Sequence, residues 1–204
     1  MTNRQSHAAI QLDYGDSTPD FVSDSVIRYY VELDAFTTFE QSEYAAECFE
    51  AANELWRGAP VRFQRVFYPD TAYFLVVGSS RDQQTTYASA FFSNDLVCLR
   101  KVTIYPLAFQ HPEAIVSILA YELGHMLGLH ELASETEQNE PSLWFGVSSP
   151  LSAMQYYRNL GPVEIAIHWL DIELLVSFYD YAYNRGQYQG SPTFLVDIDM
   201  EGEF

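Results

Sequence analysis

The stretch Tyr121-Glu122-Leu123-Gly124-His125-Met126-Leu127-Gly128-Leu129-His130-Glu131 constrains this chain more than any other. It closes a run in which Ile115, Ile118, Leu119 and Leu123 recur at helical spacing. Pro112 suits a first helical position, and Glu113 suits the positive end of the helix dipole. The spacing predicts a helix from about Pro112 to Gly128. Positions i and i+4 share a face, so Tyr121 and His125 point the same way with Glu122 beside them. Polar side chains on so apolar a helix are either satisfied within a core or form the working face of a site. Gly128 permits a sharp turn after it, so that His130 or Glu131 can swing back; the residues themselves do not choose between the two.

The helix lies one residue away from H-E-x-x-H, where two histidines a turn apart bind zinc and the glutamate acts as general base. Glu122 and His125 occupy their places in that pattern, and Tyr121 stands where the first histidine would be. About 25 residues after the helix comes Ser152-Ala153-Met154-Gln155-Tyr156, which has the form S-x-M-x-Y. With the Glu-Leu-Gly-His-Met-Leu-Gly-Leu helix, this resembles the metzincin-like zinc metallopeptidases, small fungal and astacin-like forms among them. The segment from Asp171-Ile172-Glu173 to Phe178-Tyr179 is similar to the C-terminal helix of that family. The resemblance spans about residues 25–183.

The resemblance implies an α/β (α+β) fold of the zincin type. Its mixed twisted sheet would carry an active-site helix, a Met-turn at Met154 and a C-terminal helix. It also implies metal ligation by His125 with His130 or Glu131, a base at Glu122, and Tyr156 leaning on the metal or the developing oxyanion. Tyr87-Ala88-Ser89-Ala90-Phe91, followed by Phe92, falls in the place of the edge strand that pairs with extended substrates. Its small and aromatic residues suit a peptide or a greasy small molecule, and suit plain sheet packing equally well.

Two departures redirect the functional expectation. Tyr121 replaces an imidazole with a phenol, and ionising a phenol at pH 7 costs about 4 kcal/mol. The third-ligand position, three residues past Gly128, holds Glu131, with His130 one place early. A carboxylate is an acceptable zinc ligand. His111, ~15 Å up the same helix, is too far to reach a metal at His125. His168 falls where a Ser or Thr cap is usual and reads as a cap. The expectation is a degraded zinc site. Glu122, Tyr121 and Tyr156 would remain as polar handles, serving a pseudopeptidase that binds a peptide or protein, or metal-independent catalysis on a small molecule. The rival is an active zinc endopeptidase with a Tyr/His/(Glu or His) site.

Composition narrows the partners. Ten Lys+Arg against 28 Asp+Glu give a net charge of −18, which repels phosphate backbones and anionic membrane surfaces. Nucleic acid and membrane are therefore not expected. The two cysteines, Cys48 and Cys98, read as buried thiols in a reducing compartment, and residues 1–11 lack the apolar core of a signal peptide. Both point to the cytoplasm. Residues 1–24 are polar and read as a flexible arm before a single domain, 25–204. Within that domain the patterning predicts strands at 25–33, 61–68, 73–77, 85–92 and 97–105, and helices at 39–56 and about 170–183.

Overall fold

The computed structural model describes residues 8–13, 26–81, 85–91, 99–131, 142–145, 152–154 and 167–184. Of these, 8–13, 130–131, 142–145 and 181–184 are described by backbone alone. The strands are β1 (Ala8–Asp13), β2 (Val26–Val31), β3 (Arg62–Arg65), β4 (Phe74–Gly78), β5 (Ala88–Ser89), β6 (Lys101–Ile104), β7 (Leu129–Glu131) and β8 (Ser142–Phe145). The helices are α1 (Phe39–Leu55), α2 (Pro106–Phe109), α3 (Ile115–Met126) and α4 (Trp169–Asn184).

Five strands form one sheet in the order β3-β2-β4-β6-β5. The first three pairings are parallel, and β5 runs antiparallel to β6 at the end. A parallel pair needs a crossover, and α1 supplies the one between β2 and β3. β2 alternates as a half-buried strand should: Val26 and Arg28 are exposed, while Ile27, Tyr29 and Val31 are buried. β4 lies at the middle of the sheet and buries Phe74, Val76 and Val77.

α1 starts where Thr38 accepts a hydrogen bond from Gln41 N–H at 3.1 Å, while the Gln41 side chain accepts from Thr37 N–H at 3.0 Å. This reciprocal box satisfies two amides at the helix start. The helix turns Ala45, Ala46, Cys48, Phe49 and Ala52 inward, and the chain leaves it through Gly58 at φ 110°. The small alanines let α1 lie close to α3. Trp56 bridges the two helices, its indole N–H donating to Ala120 O at 2.8 Å.

Between α1 and the sheet sits an aromatic cluster. Tyr29 meets Phe49 at 4.6 Å and Phe74 at 5.7 Å between ring centroids, and Phe74 also meets Phe63 at 6.0 Å and Phe91 at 5.3 Å. Burial pushes the Tyr29 phenol well above its ordinary pKa.

The structure departs from the sequence pattern at three places. The 1–24 stretch, read as an arm, contributes β1, which pairs antiparallel with both β7 and β8 in a second sheet. The signal lay in Ala8, Ile10 and Leu12 alternating with Ala9 and Gln11, a run too weakly apolar to stand out among polar neighbours. The site helix begins at Ile115 rather than near Pro112, and His111–Ala114 forms a turn after the short α2. His111 therefore does not open the site helix. Its N–H closes a turn onto Ala108 O at 3.1 Å. The stretch between Gly128 and the last helix, where the patterning predicts no strand, holds β7 and β8.

Phe74 is the ring that most of the others touch, and it is 2% exposed. Truncating it, as Phe74→Ala, should cost about 3–5 kcal/mol, because the cavity lies between parallel strands and a helix that cannot collapse onto it. Denaturant unfolding of the variant against the wild type measures this.

Candidate functional site

α3 is buried on nearly every side. Ile115, Leu119, Ala120, Leu123 and Met126 are all inaccessible to solvent. The helix leaves one partly open strip, and Tyr121, Glu122 and His125 lie on it, each half-buried. The Tyr121 and His125 rings meet edge to face, with centroids 4.6 Å apart and planes at 83°. This is the i, i+4 juxtaposition expected from the sequence.

His125 is held by its backbone surroundings. Its Nδ1 lies 2.9 Å from Leu129 O. A carbonyl only accepts, so Nδ1 carries a proton, and in the neutral ring Nε2 holds the lone pair. The bond depends on the turn at Gly128, whose φ of 101° brings Leu129 back along the helix end. A residue with a Cβ would be strained there. From Leu129 the chain enters β7 directly, pairing His130 with Ala9 and Glu131 with Ala8 of β1. The side chains of His130 and Glu131 lie outside the described residues, as do Gln155 and Tyr156.

Glu122 is the site's electrostatic anomaly. Desolvation raises its carboxyl pKa from 4.5 to about 7; a hydrogen bond from Ala90 N–H pulls the other way and is outweighed. Ala90 is the residue after β5, so the helix carboxyl and the sheet edge are in direct contact. In the edge segment, Ala88 and Phe91 turn into the core at 5% and 3% exposure, while Tyr87, Ser89 and Ala90 stay half-buried. Ser89 and Tyr105 hydroxyls are 3.3 Å apart. Of the two phenylalanines in that segment, Phe91 packs in the aromatic core, and Phe92 lies outside the described residues.

Beneath the helix lies Met154, fully buried. A Cβ at Gly124 would stand 2.5 Å from the Met154 sulfur and 3.0 Å from the Trp56 ring. Glycine is therefore required at 124 by close approach, although it weakens the helix. The turn holding Met154 is fixed from two sides. Ser152 Oγ accepts from Met154 N–H at 3.1 Å, and the buried Asp171 carboxylate accepts from Ala153 N–H at 2.9 Å. Asp171 also accepts from His168 N–H at 3.1 Å, and His168 Nδ1 accepts from Leu170 N–H at 3.3 Å. His168 thus caps α4, as its position suggested, in a reciprocal box with Asp171. Just past the last residue of α3, the Tyr179 hydroxyl donates to Leu127 O at 3.3 Å. Trp56, Gly124 and Asp171 are the supports that sequence reasoning did not assign. The His168-x-x-Asp171 spacing was the available signal for the last of them.

Among the described side chains, the open strip carries, beside the Glu122 carboxyl, one imidazole nitrogen and a phenol whose ionisation is costly at neutral pH. Among the described residues, no group of three or more His, Cys, Asp or Glu side chains is placed to hold a metal ion. No helix among them is long and apolar enough to cross a membrane.

No family model and no curated protein matches the chain. Among solved structures it is similar to myroilysin, a metzincin-type metallopeptidase, with a TM-score of 0.55 and 12% identity. The match covers 84% of this chain and 98% of that one. At that identity the likeness bears on the backbone alone. The chain has a zincin-like α+β fold.

Because Glu122 has a higher pKa in the fold than in the unfolded chain, its ionisation destabilises the fold. The stability it lends is complete below pH 4.5 and is lost as pH rises through about 7. Glu122→Gln should therefore match the wild type in melting temperature near pH 4.5. It should gain on it steadily to about pH 7, by roughly 3 kcal/mol in all, and hold that margin above. Paired thermal melts across pH 4.5–8.5 read the difference directly.

Proposed function

We propose that this chain is a zincin-fold protein with a degraded zinc site, whose cleft works without a metal and is not a conventional peptidase. The observation that carries the proposal is the Tyr121 ring set edge-on against the His125 imidazole. A histidine at 121 would offer a second neutral nitrogen one turn away. The phenol instead fills that space with an aromatic edge and brings a proton that it keeps at neutral pH. Met154 lodged under Gly124 supports reading Ser152–Tyr156 as a retained Met-turn, so that the cleft floor outlives the metal chemistry.

In this reading the cleft is a pseudopeptidase groove that takes an extended peptide or protein segment between α3 and the β5 edge. Tyr87, Ser89 and Ala90 are its open side. One observation favours a second reading, metal-independent acid–base catalysis on a small molecule. A carboxyl titrating near 7 is poised to give and take protons at neutral pH, and Glu122 is such a group. Tyr121, His125 and Tyr156 would then orient the substrate. A reducing, cytoplasmic setting is part of the proposal; it rests on the cysteine usage, and Cys48 is a buried free thiol. The rival zinc peptidase would need Tyr121, His125 and either His130 or Glu131 to share a metal, with Glu122 as base.

Melting curves with chelator and with excess zinc separate these readings. The wild type should melt at the same temperature under both conditions. Tyr121→His restores the paired imidazoles and should melt higher with zinc, by roughly 5–10 °C at a hundredfold excess over its Kd. A wild type that loses that much on chelation contradicts the proposal.

A further inference from the structure

The two faces of the main sheet differ in cover and in charge. Side chains paired across a sheet share a face and alternate along each strand. α1 packs on the face that carries Tyr29, Phe63 and Phe74, and these are buried. On the other face the register sets Val26 beside Arg62, Arg28 beside Gln64, and Tyr30 in line with Leu75 and Lys101. Val26, Arg28, Arg62, Gln64 and Lys101 are exposed there, although a mostly parallel sheet is ordinarily covered on both faces. The chain carries 28 acidic and 10 basic residues. The paired positions of this second face nevertheless hold Arg28, Arg62 and Lys101 and no Asp or Glu. Among the described residues no carboxylate pairs with these three cations, whereas Arg65 on the covered face reaches Glu43 at 3.3 Å and Glu50 at 3.6 Å.

We propose that this basic face is the docking site of the chain's own acidic segment, residues 196–204. The segment places Asp197, Asp199, Glu201 and Glu203 at every second position, with Val196, Ile198 and Met200 between them. An extended segment of that pattern turns its carboxylates to one side, about 7 Å apart. Arg62 and Arg28 sit on neighbouring strands, one two-residue step apart, which separates them by about 8 Å and lets successive carboxylates meet them. The chain is long enough to reach. α4 starts near β3, because a Cβ at Gly58 would lie 3.4 Å from Ile172. From Ile172 to Asn184 the helix advances about 18 Å, and residues 185–196 extend to about 40 Å. The net charge of −18 disfavours a long free polyanion on this face, whereas a tethered segment competes at the high effective concentration its linker provides. Exposed ion pairs are individually weak, so docking draws on several together and weakens as salt rises. None of these residues belongs to the strip of Tyr121, Glu122 and His125, so the proposal stands apart from the reading of that strip.

Paramagnetic broadening in NMR spectra of the full chain tests the docking. A nitroxide is attached at Phe204→Cys in a Cys98→Ser background, Cys48 being buried. The amide signals of Arg28, Gln64 and Lys101 should broaden, and that of Glu47, on the exposed side of α1, should not. The broadening should be lost at about 1 M salt, where the screening length falls to about 3 Å. Arg28→Glu with Arg62→Glu should abolish it. Adding Asp197→Lys and Asp199→Lys to that variant should restore it, which a general loss of folding would not allow. Broadening that is absent, equal in all these variants, or spread evenly to Glu47 would overturn the proposal. So would broadening that persists in full when the spin label and the isotope label are placed on separate chains, since that assigns the segment to a second copy.

Discussion

The site depends on the close approach of Met154 to α3 at Gly124. Without a Cβ at that position the methionine sulfur and the Trp56 indole can press against the helix backbone. The contact fixes how α3 is rotated in the core, and that rotation decides which residues reach the open strip. Two hydrogen-bonded supports keep it in place. Asp171 holds the Met154 turn to the start of α4, and Tyr179 holds α4 to the end of α3. Trp56 ties α1 to the same helix at Ala120 O. Interiors this dense transmit small displacements, so the geometry of Tyr121, Glu122 and His125 is inherited from packing well beneath them.

What that packing presents is a half-buried strip of three polar side chains on a zincin-like fold. The His125 tautomer is set by Leu129 O, leaving the lone pair on Nε2, as a metal ligand would need. The neighbour one turn earlier is a phenol instead of a second imidazole. The glutamate between them bonds to the sheet edge at Ala90 and titrates near neutrality. Each group is individually reasonable for a hydrolase fold. In the proposed reading, they keep acid–base character and hydrogen-bond recognition while the donor set for zinc is reduced.

Much of the fold was legible because long periodic segments report burial directly. β2, α1, the central β4, α3 and α4 all announce themselves through the spacing of Ile27, Phe49, Phe74, Leu119 and Leu175, and each of these residues is buried. The short elements were not legible. β1 and β7 are weakly apolar segments whose strand character comes from pairing with each other across more than a hundred residues of sequence. α2 is a single turn whose start is marked by Pro106 alone. In the site, motif spacing placed Tyr121, Glu122 and His125 on one strip and Met154 below it. The bond from Ala90 to Glu122 was invisible, because nothing local to either residue refers to the other. Phe91 likewise could not be sorted between cleft and core until the Phe74 ring was seen against it.

Zinc content measured by elemental mass spectrometry on the purified, tag-free protein tests the central claim most directly. The account predicts essentially no zinc per chain, including after incubation with excess zinc and removal of the loosely bound ion. Close to one zinc per chain would contradict it, and would mean that Tyr121 or the Glu131 segment completes a working metal site.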